Sequence, residues 1–143
     1  MPYEYLEDSV TSDVTFRAWG GDLNALFMAA VDATTNVMVH PLDAVRPVRT
    51  VAVTVSAAGL DLLLFRFLDE LIYHKDVDGL LLRATSMRVD HGTAASHATA
   101  ELRGEPVNPT RHDLRADVKA VTLYGLRVEP TPGGWEAEVT LDV

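Results

Sequence analysis

The sequence predicts an α+β fold: a largely antiparallel β-sheet with two α-helices packed on one face. Two observations lead there. Short stretches alternate apolar and polar residues with a period of two, and two longer stretches repeat their apolar residues at i, i+3, i+4 and i+7. Their order is strand, helix, strand, helix, then a run of strands, the pattern of antiparallel sheets with helices segregated to one side. A length of 143 residues suits one domain with one core, so residues 1–143 are read as a single domain.

The elements follow in order. Val14 to Trp19 alternates loosely and ends at Gly20-Gly21, a strand and a turn. Asp22 stands where an N-cap belongs, ahead of Leu23, Leu26, Phe27, Ala30 and Val31 at helical spacing, so a helix is expected over about 22–36. Residues 40–47, with two prolines, read as a loop. Val51, Val53 and Val55 alternate with Ala52, Thr54 and Ser56 as a second strand, closed by Ala57-Ala58-Gly59. The clearest helix is expected over 59–74, where Leu60, Leu63, Leu64, Phe67, Leu68, Leu71 and Ile72 hold the helical period throughout. Leu80 to Val89 and His97 to Arg103 read as strands around Asp90-His91-Gly92-Thr93-Ala94-Ala95-Ser96. Val118 to Val128 reads as one further strand. A Pro- and Gly-rich turn over 129–134 then leads into Trp135 to Asp142, where Trp135, Ala137, Val139 and Leu141 alternate with Glu136, Glu138, Thr140 and Asp142.

Composition narrows function. The formal charge is −9, and the arginines are scattered along the chain, which disfavours stable direct binding to nucleic acid. The acidity serves solubility or docking to a basic partner. With no cysteine, disulfides, thiolate metal sites and cysteine nucleophiles are excluded. No apolar run reaches the ~18 residues that span a bilayer, and the first residues, MPYEYLEDSV, lack the pattern of a signal peptide. A cytoplasmic protein without membrane contact is the expectation.

Several short motifs fail on inspection. Asp76-Val77-Asp78-Gly79 starts like a calcium loop, but Met87 stands where the loop needs its closing glutamate, so a helix-to-strand turn is the better reading. His91 and His97 flank a turn without the further ligands a zinc site requires. There is no G-x-S-x-G, P-loop or G-x-G-x-x-G.

Four segments together resemble the archease family, the small protein cofactors of RtcB-type RNA ligases. They are Tyr5 to Val14 followed by Arg17-Ala18-Trp19-Gly20; the helix Leu63 to Tyr73; Gly104-Glu105, His112 and Val118-Lys119-Ala120-Val121-Thr122; and Trp135 to the end at Asp142-Val143. The resemblance runs in order along nearly the whole chain. Two departures stand out: Val10 replaces the family's histidine before Thr11, and Leu123-Tyr124 replaces its usual Tyr-His.

The resemblance implies an accessory protein that promotes guanylylation and multiple turnover of an RtcB-type ligase in tRNA splicing or RNA repair, the nucleotide chemistry belonging to the ligase. It also implies a site in which Asp13, Asp142 and the terminal carboxylate of Val143 gather around a divalent cation. Oxygen-only ligands suit Ca²⁺, Mg²⁺ or Mn²⁺. Glu105, His112 and Lys119 would then contact the ligase or buttress the ligands. For Asp13 and Asp142 the plain alternative is a turn residue and a frayed end, and for Lys119 a side chain reaching solvent. Two rival functions remain open: a metal-dependent hydrolase with Asp13 and Asp142 on the metal and Glu105 as base, and a non-catalytic interaction module.

Overall fold

The computed structural model describes residues 1–6 and 13–143. Val10, where the sequence departs from the family's histidine, lies outside the described residues, as do its neighbours 7–9, 11 and 12.

The chain begins with strands β1 (Tyr3–Leu6) and β2 (Asp13–Gly20) and helix α1 (Leu23–Met38). Next come β3 (Val39–His40), a short 3-10 turn (Leu42–Ala44), β4 (Arg49–Ala57) and α2 (Leu60–Asp78). Two long strands follow, β5 (Leu80–His91) and β6 (Ser96–Pro106), then β7 (Asp113–Leu114), β8 (Ala120–Val121), β9 (Arg127–Thr131) and β10 (Gly134–Asp142). Every strand pairing is antiparallel.

Both expected helices are present, and their ends have the chemistry the sequence announces. Asp22 accepts the N–H of Ala25 at 2.8 Å, satisfying a donor that the first turn leaves free. At the other end of α2, Gly79 is left-handed (φ 65°) and its N–H reaches the carbonyls of His74 and Lys75. Asp76 to Gly79 is therefore a helix end, as the failed calcium motif implied.

The strands divide between two main sheets. One runs β1–β2–β10–β8, with β9 also paired to β10. The other runs β4–β6–β5, and β3 with β7 forms a small clasp. α1 packs on β5, β2 and β10, whereas α2 lies over β4, β5 and β6 and touches β8 and β9. The helices thus bind the two sheets together around one core. At its centre Phe27 and Phe67 meet edge to face at 6.3 Å, with Leu63, Leu64 and Leu68 fully buried.

The expected strand over Val118 to Val128 is corrected to two. A turn with Gly125 at φ 64° separates β8 from β9. Both pair with β10, on the side away from β2. The apolar residues of this stretch gave a run without a visible break, and glycine's access to positive φ makes the break. Strand β1 was not foreseen: only four residues pair, and Glu4 interrupts the apolar pattern.

Leu68→Ala should cost about 2–5 kcal/mol, the range for opening a cavity at a fully buried leucine. Urea denaturation followed by circular dichroism measures it. Asp61→Ala, on the solvent side of the same helix, should cost far less.

Candidate functional site

β10 is the centre of its sheet, with β2 along one side and β8 and β9 along the other. Ala137, Val139 and Leu141 are fully buried against Ala18, Phe16 and Val14 in register. The intervening residues form cross-strand pairs on the opposite face: Glu138 with Arg17, Thr140 with Thr15, and Asp142 with Asp13. Residues directly opposite in an antiparallel pair project to the same side, with Cβ atoms about 4.5–5.5 Å apart.

Two of the expected site residues, Asp13 and Asp142, are therefore brought together by register alone. β8 holds the end of β10 in place. The Lys119 N–H donates to the Asp142 carbonyl (2.8 Å) and the Thr122 N–H to the Thr140 carbonyl (3.0 Å). The Thr122 hydroxyl adds a second bond to Thr140 (2.9 Å). Lys119 itself is exposed beside this end, and Val143 is half-buried. Two residues back on the same face, the hydroxyls of Thr15 and Thr140 meet at 2.8 Å, both buried.

Charge balance changes along this face. At its far end Arg127 pairs with Glu136 (2.9 Å) and Glu129 (3.2 Å). Arg17 reaches Glu4 (3.2 Å), Glu136 (3.6 Å) and Glu138 (3.8 Å). Each of these carboxylates has a guanidinium. Asp13 and Asp142 have none: no described residue donates a hydrogen bond or ion pair to either side chain. Two opposed carboxylates without a counter-charge repel. Their oxygen-only donor set fits a hard divalent cation. Among the described residues no group of three or more His, Cys, Asp or Glu side chains is placed to hold a metal, so two side chains alone would need a further oxygen ligand.

Glu105 and His112 form a separate cluster on the other sheet. Glu105, the penultimate residue of β6, is buried; its carboxylate accepts from the Arg46 N–H (2.5 Å), the Arg111 guanidinium and the His112 ring (3.3 Å). His112 Nδ1 accepts the Asn108 N–H at 2.9 Å. The other ring nitrogen, Nε2, lies 2.8 Å from the Arg111 guanidinium and 3.3 Å from Glu105. Arg111 also donates to the Ala44 carbonyl (3.0 Å). The cluster ties the loop after β6 to the 3-10 turn, and none of its bonds reaches Asp13 or Asp142.

Sequence reasoning did not single out Arg46, Arg111, Thr15 or Thr140. The threonine pair was visible only as two polar positions in alternating strands. Arg46 meets Glu105 across 59 residues of chain and Arg111 meets Ala44 across 67.

The fold and these sites define a class: an acidic α+β protein with a carboxylate pair at a sheet end. The description "Archease protein family (MTH1598/TM1083)" matches residues 3–143, and the chain belongs to the archease family. "Protein archease" of Methanopyrus kandleri is 32% identical over the whole of both chains. That of Methanosarcina acetivorans is 33% identical, covering 99% of this chain and 95% of the relative. The solution structure of Methanobacterium thermoautotrophicum protein 1598 superposes with a TM-score of 0.84 at 29% identity, over 99% of each chain. A Thermotoga maritima crystal structure, described as an archease and possible chaperone, shares the fold with a TM-score of 0.58 at 12% identity, over 98% of this chain and 99% of that one.

Burial raises the Glu105 pKa, but the Arg111 guanidinium, the Arg46 N–H and His112 outweigh it and bring it from 4.5 to about 2. A depressed folded-state pKa stabilises the fold above the unfolded value and ceases to do so as pH falls through the folded one. Stability should therefore drop between about pH 4.5 and pH 2. Glu105→Gln should lower stability at pH 7 and flatten that drop. Urea titrations at stepped pH measure both.

Proposed function

We propose that this chain is a cytoplasmic accessory protein that activates an RtcB-type RNA ligase, promoting its guanylylation and repeated turnover in tRNA splicing or RNA repair. Family membership supports an accessory role, and the Thermotoga relative is described as a possible chaperone. The observation that carries the reading is the pair Asp13–Asp142, without a counter-charge among the described residues, at the end of a face whose other carboxylates are matched by arginines.

In this reading Asp13, Asp142 and the carboxylate ending the chain at Val143 hold a divalent cation, Ca²⁺, Mg²⁺ or Mn²⁺. The cation supplies positive charge that lets the carboxylates sit together at the protein's tip. Lys119, exposed and joined through its backbone to Asp142, contacts the ligase. Glu105 and His112 are buried, so they act by holding the loop after β6 in shape. A strand-held carboxylate tip is suited to entering another protein's active site, since paired strands position side chains more rigidly than a loop does.

Mixed with the cognate ligase and GTP, the chain should raise the rate of ligase–GMP formation, while alone it should hydrolyse neither nucleotide nor RNA. Hydrolysis by the chain alone, with no effect on the ligase, would assign it to the hydrolase class instead.

Asp13→Asn and Asp142→Asn should each weaken divalent binding in calorimetric titration and reduce activation. Adding one glycine after Val143 moves the terminal carboxylate by ~3.3 Å, one strand residue. A hard cation needs its ligand at ~2.0–2.6 Å, so the extended chain should also bind metal less tightly while folding normally. Unchanged metal binding by the extended chain would remove Val143 from the ligand set.

A further inference from the structure

An exposed sheet edge presents unpaired N–H and C=O groups, and folds blunt such edges with charge, proline, short length or a bulge. Most edges here are treated that way. β1 is four residues long and carries Glu4. β9 carries Arg127, Glu129 and Pro130. β5 breaks register between Ala84 and Ser86, carries Arg83, Arg88 and Asp90, and has the Val89 N–H capped by Asn24 of α1 at 2.7 Å.

Within β4 itself none of these devices occurs beyond Arg49 at its start. From Thr50 to Ala57 it holds no charge, no proline and no glycine. Its ladder with β6 runs unbroken from Arg49–Gly104 to Ala57–Ser96. Apart from β6, among the described residues its backbone meets one group, the Arg66 guanidinium, which donates to the Ser56 carbonyl at 2.6 Å.

We propose that β4 is a self-association edge, at which two copies of this chain join by antiparallel β4–β4 pairing across a two-fold axis through Val53. The strand is close to palindromic about that residue. Reading outward from Val53, Ala52 matches Thr54, Val51 matches Val55 and Thr50 matches Ser56. In that register valine meets valine on the face under α2, small residues meet small residues on the open face, and no like charges are opposed.

A two-fold axis perpendicular to the sheet also keeps both copies of α2 on one side, running antiparallel. α2 lies over β4, and Arg66 marks the flank nearest the edge, since its side chain reaches Ser56. Leu62, Tyr73 and Val77 fall within about 60° of arc on that flank, from 100° per residue. They are 40%, 53% and 62% exposed. Val48, just before β4, is 64% exposed. Pairing the edges would bring the two flanks together, with Arg66 inside each arc and Glu70 beside it, giving large side chains now in water a reason for their positions.

Each copy carries −9, so the copies repel at long range, and screening should favour the pair. That sign separates self-pairing from capture of a basic strand from another protein, which salt would weaken.

Sedimentation equilibrium of the full chain at low and high salt tests the proposal. The expected result is a monomer–dimer equilibrium whose dissociation constant falls as salt rises. Leu62→Lys and Tyr73→Lys, at positions exposed in the monomer, should each weaken it by about ten-fold without altering the circular dichroism spectrum. The chain has no cysteine, so Val53→Cys supplies a single thiol on the proposed axis. It should give a disulfide-linked dimer under mild oxidation, while Thr99→Cys on β6 should not. A chain that stays monomeric to about 0.5 mM at both salts would overturn the proposal. So would a folded Val53→Cys protein that links no faster than Thr99→Cys, or a dimer untouched by both lysine variants.

Discussion

The register of β10 against β2 is the constraint on which the rest of the site depends. Ala137, Val139 and Leu141 are fully buried, and they pack opposite Ala18, Phe16 and Val14. A slip of one residue would turn these side chains to solvent and the glutamates into the core. The same register sets Asp142 opposite Asp13 and Arg17 opposite Glu138. A core-packing preference thus decides which charges meet on the outer face, and it sets Asp13 opposite Asp142 at the sheet's end with no counter-charge among the described residues. The bonds from Lys119 and Thr122 fix the end of β10 to the β8 segment on its other side.

Glu105 illustrates a different use of a buried charge. Desolvation alone would raise the pKa of the carboxyl, yet a guanidinium, a backbone N–H and a histidine ring converge on it. The cluster joins residues of three segments, Arg46, Glu105 of β6 and the loop residues Arg111 and His112. Its location between the loop after β6 and the 3-10 turn shapes a surface remote in bonding from the Asp13–Asp142 pair. The candidate residues therefore belong to two structural units.

The sheet edges divide by the same physical logic. Charge, proline, shortness and a bulge occur where a strand must not recruit another, and β4 lacks them along eight consecutive residues. Its outer side is flanked by apolar residues of α2 that the monomer leaves in solvent.

Much of this was legible from residue order. The two helices and their ends follow from local chemistry: Asp22 caps α1, Gly79 closes α2, and the seven apolar positions from Leu60 to Ile72 are all buried. Strands β2 and β4 and the inward face of β10 follow from period-two alternation. Local periodicity acts over a few residues, so one sequence window contains it. The break between β8 and β9, the brief strand β1, the division into two sheets and the meeting of Glu105 with Arg46 were decided by tertiary structure. So was the pairing of Asp13 with Asp142, which the family resemblance implied but no sequence window contains. Each rests on contacts between residues far apart in the chain, and only the closed core determines which distant strands lie side by side and in what register.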